Sequence, residues 1–171
     1  LLARRVLIKD LRCGITSKTL NKILGKSEWK IPTFEVQLAT DSKGHPKKLA
    51  GEVMIEPKLD GVRAIAIIYA TGNVMLYSRN GKEFANFPHI ANDLSKIAET
   101  FRSHDTDALV IDGEITGKSF QELMRSATKK DHTATDSVFN VFDMMSLEDF
   151  KRGHCNRTQI DRLLALESVV N

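Results

Sequence analysis

The stretch Glu56-Pro57-Lys58-Leu59-Asp60-Gly61-Val62-Arg63 carries the residue types most able to do chemistry. On extended backbone, a lysine and an aspartate two residues apart point to one face. Gly61 permits a tight turn, and Arg63 beyond it can return to the same pocket. One face then offers an amine, a carboxylate and a guanidinium. A lysine that is buried or beside a metal can lose its proton and become a nucleophile. The same residues would also suit a surface hairpin closed by a salt bridge, and the charge pattern alone favours that reading. Further along, Ser78-Arg79-Asn80-Gly81 sets an arginine at a turn. Ile111-Asp112-Gly113-Glu114-Ile115 places Asp112 and Glu114 about a strand end, as Mg²⁺ shared with substrate phosphates needs. Asp112 could instead hydrogen-bond the turn. In Phe139-Asn140-Val141-Phe142-Asp143 an aromatic could stack on a base, although pattern alone makes Phe142 core.

These residues need elements to hold them. Val53 to Ile55 reads as a short strand, and Val62 to Tyr69 as a largely buried one. Thr71-Gly72-Asn73 is a hairpin turn before a strand at Val74 to Ser78, and Asn80-Gly81 is another turn. Ile90 to Phe101 has helical spacing. Ala108 to Ile111 and Val138 to Phe142 read as strands, and Ser119 to Ala127 and Thr158 to Val169 as amphipathic helices. Strands joined by tight turns, with helices between, predict an α+β fold with mainly antiparallel sheet. Residues 1–24 read as helix, turn, helix: Gly14 is the stop, and Thr16 or Ser17 caps a helix with Leu20, Ile23 and Leu24. Gly25 to Pro32 reads as a linker, and Asp41 to Lys48 as a basic loop.

Composition bounds the function. The chain has 171 residues, 42% of them apolar and 27% charged, which suits a globular protein. No apolar run approaches the roughly 18–20 residues that cross a bilayer, and no signal peptide is visible. Cys13 and Cys155 are expected to be free thiols in a reducing compartment. The histidines His45, His89, His104, His132 and His154 lack zinc-ligand spacing. Residues 1–50 hold 11 Lys and Arg against 4 Asp and Glu, whereas residues 51–171 hold 14 against 18. That asymmetry suits a basic surface for a polyanion beside an acidic region that uses metal, or merely a solvated helix face.

Taken in order, KLDGVR, SRNG, the DGE of IDGEI, and FNVFD resemble the motifs of the covalent nucleotidyltransferases: DNA ligases, RNA ligases and mRNA capping enzymes. KLDGVR fits the KxDGxR nucleophile pattern at every fixed position. KDLRCGITSKTLNKIL is similar to the end of the helical DNA-binding domain of ATP-dependent DNA ligases, and FEVQLA to the segment leading into their nucleophile strand. The style is closest to compact viral or bacteriophage ligases. The resemblance implies a nucleotidyltransferase (adenylation) fold of ATP-grasp-like type over residues 31–171, C-terminally incomplete, after the end of a DNA-binding domain and linker over residues 1–30.

It also implies roles. Lys58 would attack the α-phosphate of ATP and hold AMP as a phosphoramidate. Glu56 would face the adenine amino group, Arg63 the ribose, and Glu114 the ribose or a metal-bound water. Phe142 would stack on adenine, and Arg79 would engage the nucleotide or the nick phosphate. Asp60 would either orient the loop or assist catalysis, and Asp112 would join Glu114 at the metal. AMP would pass to a DNA 5′-phosphate, to be displaced by the adjoining 3′-hydroxyl, with Mg²⁺ neutralising charge. ATP and Mg²⁺ are thus the expected cofactors and nicked double-stranded DNA the expected partner. The resemblance further implies a monomer away from membranes, inside a cell (the bacterial host if phage-encoded), acting in DNA replication, repair and recombination.

The chain starts with Leu and ends at Asn171; the resemblance implies that an EGxxxK-like motif, a paired-lysine motif and an OB-fold domain would follow. The expectation is that its true start lies further upstream and that the fragment alone is feeble or inactive. An RNA ligase or a GTP-using capping enzyme is the alternative enzyme, disfavoured by Glu56 and the helical N-terminal stretch. A nucleic-acid-binding module that has lost catalysis is disfavoured by the complete KLDGVR and IDGEI motifs.

Overall fold

Eight consecutive residues, Val62–Tyr69, form β1, whose central five are buried on both faces of a sheet. The computed structural model describes residues 14, 17–24, 34–101, 106–128, 133 and 135–170. A turn through Gly72, at φ 88°, returns the chain as β2, Val74–Ser78. β3 is Ala108–Thr116 and β4 is Val138–Ser146. The sheet order is β2-β1-β3-β4 and every pairing is antiparallel. The expected α+β fold with antiparallel sheet is what the structure shows.

The chain divides into two units, Leu1–Phe34 and Glu35–Asn171; the expected division was at 30/31. In the first, α1 spans Ser17–Leu24, where the second N-terminal helix was expected. The first helix expected within residues 1–13, the Thr16 cap and the linker at Gly25 to Pro32 lie outside the described residues. In the second unit, Ala64, Ala66 and Ile68 of β1 meet Ile111 and Ile115 of β3 in the core. Phe84, Phe87 and Leu123 close over this face. Among the described residues of this unit the α-helices are α2 (Pro88–Ser95), α3 (Ala98–Phe101), α4 (Phe120–Thr128), α5 (Leu147–Arg152) and α6 (Gln159–Val170).

Several details differ from the sequence reading: β4, expected to end at Phe142, runs on to Ser146. Residues 53–55 form no strand, and Ile55 is 89% exposed. The run is short and lies between Glu52 and Glu56-Pro57, and proline has no N–H to give a ladder. The single helix expected over 90–101 is interrupted: Lys96 and Ile97 bond back three residues, tightening the chain into a turn between α2 and α3. Its apolar positions Ile90, Leu94, Ile97, Ala98 and Phe101 are nonetheless all buried. β3 runs on to Thr116, so Asp112 and Glu114 sit within a strand, not about its end. The short helix α5 was not foreseen, although Ser146 caps it by accepting from the Asp149 N–H at 3.0 Å, and Gly153 ends it at φ 72°.

Candidate active site

Antiparallel pairing gathers the sequence motifs at one end of the sheet. β1 begins just after Lys58-Leu59-Asp60-Gly61, and Arg63 pairs with Glu114 of β3. Ala64 pairs with Gly113 on one side and with Ser78, at the end of β2, on the other. Glu114 in turn pairs with Asn140 near the start of β4. Two glycines permit this closeness. A Cβ on Gly61 would lie 2.2 Å from the Ile115 carbonyl oxygen, and one on Gly113 would lie 2.5 Å from the Asn140 oxygen. Neither position takes a side chain without moving backbone.

The strands also decide which side chains face the site. Asp112 pairs with Asp143, but its neighbour Gly113 pairs with Val141, so Phe142 is an extra residue in β4. Such a bulge shifts the alternation of the strand. Phe139 and Val141 pack against the core before it, and Met144 is buried in the core after it. Phe142 and Asp143, though adjacent, both line the opposite face.

That face forms the floor of a cleft of about 760 Å³. Its walls include Glu35 to Ala39, Glu56, Arg63, Asp112, Phe142, Asp143, Cys155, Gln159 and Arg162. Arg63 is held on several sides. Nε donates to Asp112 Oδ1 at 2.9 Å, Nη2 to Oδ2 at 2.5 Å, and Nη1 to the Gln37 carbonyl at 2.8 Å. Its guanidinium carbon lies 5.5 Å from the centroid of the Phe142 ring, a cation–π distance. Bonding to Asp112 holds the Arg63 guanidinium above its ordinary pKa. Burial pushes the Asp112 carboxyl up, against the opposing pull of Arg63. A second fork joins Arg162 of α6 to Asp143, at 2.7 and 3.0 Å. Glu56 reaches Gln159 of the same helix at 3.5 Å.

Lys58 is exposed. Its positive charge helps hold down the pKa of Glu114, which burial raises, and the Glu114 carboxylate also accepts from the Gly61 N–H. Glu114 is thereby tied to the loop that carries Lys58. The cleft therefore brings together Glu56, Arg63, Asp112 and Phe142, with Lys58 and Glu114 adjoining each other outside its lining. Arg79 is exposed on the turn after β2 and does not line the cleft. Asp143 and Arg162 line it and were not foreseen as site residues. Asp143 stood in the quoted FNVFD motif; Arg162 gave no signal, because on a helical pattern it is one more polar-face cation.

The model of the ATP dependent DNA ligase domain matches residues 36–171. The chain belongs to that family. It is 28% identical over 145 residues to the DNA ligase of Enterobacteria phage T4, covering 81% of this chain and 27% of that protein. The solved structure called Pmar-Lig_PreS3 is 43% identical, with a TM-score of 0.79, over 96% of this chain and 38% of that one. The ATP-dependent DNA ligase from bacteriophage T7, solved in complex with ATP, is 18% identical with a TM-score of 0.50 over 66% of this chain and 41% of that one, a likeness of fold. The chain thus spans about a quarter of the T4 protein's length. As in that ligase family, the antiparallel sheet is the platform of the fold. Among the described residues, no helix is long and apolar enough to cross a membrane.

Proposed function

We propose that this chain carries the self-adenylation step of an ATP-dependent DNA ligase, with Lys58 as nucleophile. The observation that carries the proposal is the convergence of the four motifs at one sheet end, around a cleft lined by Glu56, Arg63 and Phe142. In this reading the Phe142 ring supports adenine on the face away from Arg63. Glu56 accepts from the adenine amino group, where guanine would present an oxygen acceptor and be repelled. Arg63, held by Asp112 and the Gln37 carbonyl, guides the ribose. Lys58 Nζ gives a proton to water and attacks the α-phosphorus, the bond to the β-phosphate oxygen breaks, and pyrophosphate leaves; a second amine proton passes to solvent. AMP remains on Nζ as a phosphoramidate.

Subsequent transfer puts AMP on a DNA 5′-phosphate and frees Lys58. The adjoining 3′-hydroxyl then displaces AMP and seals the nick. Arg79, at the same sheet end but outside the cleft, suits the nick phosphate better than the nucleotide. The basic N-terminal unit supplies sequence-independent contacts to the duplex. Asp60 is left to orient its loop.

In this reading Mg²⁺ would rely on Glu114. Both Asp112 oxygens are engaged by Arg63, and among the described residues no group of three or more His, Cys, Asp or Glu could hold a metal ion. Glu114 remains, and Mg²⁺ typically takes one or two carboxylates together with substrate phosphates. When bound there it would neutralise phosphate charge. The carboxylate of Glu114 meanwhile anchors the Lys58 loop through Gly61.

The test is incubation of the full-length protein with ATP or GTP labelled at the α-phosphate. A labelled, acid-labile protein adduct with ATP alone is expected. Equal labelling by GTP would favour a capping-type enzyme, and no adduct with either would favour a binding module.

A further inference from the structure

The Arg162–Asp143 fork takes part in no step proposed above, yet it forms one wall of the cleft. The two side chains are 15% and 18% exposed. Asp143 is pinned at three points: two N–H groups of Arg162, and the Met144 backbone N–H, which donates to Oδ1 at 2.8 Å. Arg162 is pinned in turn, because Nη1 donates to the Arg157 carbonyl at 2.9 Å.

Apolar packing also docks α6 on the sheet: Leu166, one turn further along the helix, is buried in the core, with Leu163, Ala165 and Val169 packed against it. A partly buried ion pair carries a desolvation cost that an apolar pair would not. What a bidentate fork adds is a fixed orientation. The residue it fixes is the immediate neighbour of bulged Phe142. Asp143 also faces Asp112 directly across the strands, and the two like charges oppose each other. Each carboxylate is neutralised by its own arginine, Arg63 from β1 or Arg162 from α6. Without Arg162, the bulge would be free to relax and carry the ring with it.

We infer that Arg162, acting through Asp143, is a positioning residue that holds the Phe142 ring in the cleft and thereby sets affinity for the nucleoside base. This rests on the reading of Phe142 as the base platform. The test is a double-mutant cycle on the full-length protein, with equilibrium binding of ATP and of inorganic tripolyphosphate as readouts. Arg162→Met is expected to weaken ATP binding roughly five- to tenfold while leaving tripolyphosphate binding unchanged. In a Phe142→Ala background the same substitution should have almost no further effect on ATP. Arg162→Lys keeps the charge but not the fork, and carries the test if the Met variant fails to fold; about a twofold loss of ATP affinity is expected, again only where Phe142 is present.

Additive effects in the cycle, or equal losses for both ligands, would show that Arg162 serves stability alone and would overturn the inference. If Phe142→Ala by itself leaves ATP affinity unchanged, the platform reading fails, and the inference fails with it. If Phe142→Ala weakens ATP binding and neither Arg162 variant does, only the inference falls.

Discussion

An adenine stacked on Phe142 would gain on the order of 1–3 kcal/mol from the ring. Phe142→Ala is therefore expected to weaken ATP binding about ten- to hundredfold, and Phe142→Tyr only mildly, since its ring survives. Equal behaviour of the two folded variants in an ATP titration would remove the stacking role. Glu114 gives a pH test. Burial raises its folded pKa above the unfolded value, so the folded state holds the proton more tightly. Its contribution to stability is then fully present below the unfolded pKa and is lost as pH rises through the folded pKa. Urea denaturation of the parent and Glu114→Gln across mildly acidic to neutral pH should show the parent losing ground to the variant as pH rises. A gap moving the other way would contradict the assigned environment. At this scale the expected Glu56, Arg63 and Phe142 are found lining one cleft. The sequence was silent on Arg162, whose partner Asp143 lies 19 residues away on another element.

The elements explain why the motif glycines stand where they do. Gly61 has no positive φ to justify it; the Ile115 carbonyl occupies the place of its Cβ. Gly61→Ala is expected to destabilise the protein by roughly 1–3 kcal/mol or more, through overpacking against backbone. A thermal or urea midpoint within error of the parent would show that β1 and β3 can separate at little cost. The strands were readable from apolar runs bounded by turn residues, and β1 and β2 follow that reading to the residue. The bulge was not readable. It appears only when two strands are aligned and Asp112 and Gly113 find partners two residues apart. The same holds for the far end of β3: a strand containing Asp-Gly-Glu reads as a terminus until β4 is seen to pair along it through Thr116.

For the whole molecule, the proposal gives DNA contact to the basic N-terminal stretch and adenylation to the rest. Lys22 is exposed on α1 of the basic N-terminal unit, and Lys18 belongs to the same helix. Phosphate contacts release counterions, so duplex binding should be salt-sensitive and indifferent to sequence. Replacing Lys18 and Lys22 with Ala should weaken binding of a nicked duplex and reduce the salt slope by about one per lost contact. Adduct formation should not change, because it needs ATP and Lys58 but no DNA. The reverse outcome would show that α1 supports the fold of the chain instead of gripping DNA. The central claim is that Lys58 is the covalent nucleophile, and its most direct measurement is peptide mapping of the ATP-treated protein by mass spectrometry, beside Lys58→Arg. The account predicts AMP on the peptide containing Lys58, and no adduct on a folded Lys58→Arg variant, whose guanidinium keeps the charge but does not readily deprotonate. AMP found on another residue, or a normal adduct on Lys58→Arg, would contradict it.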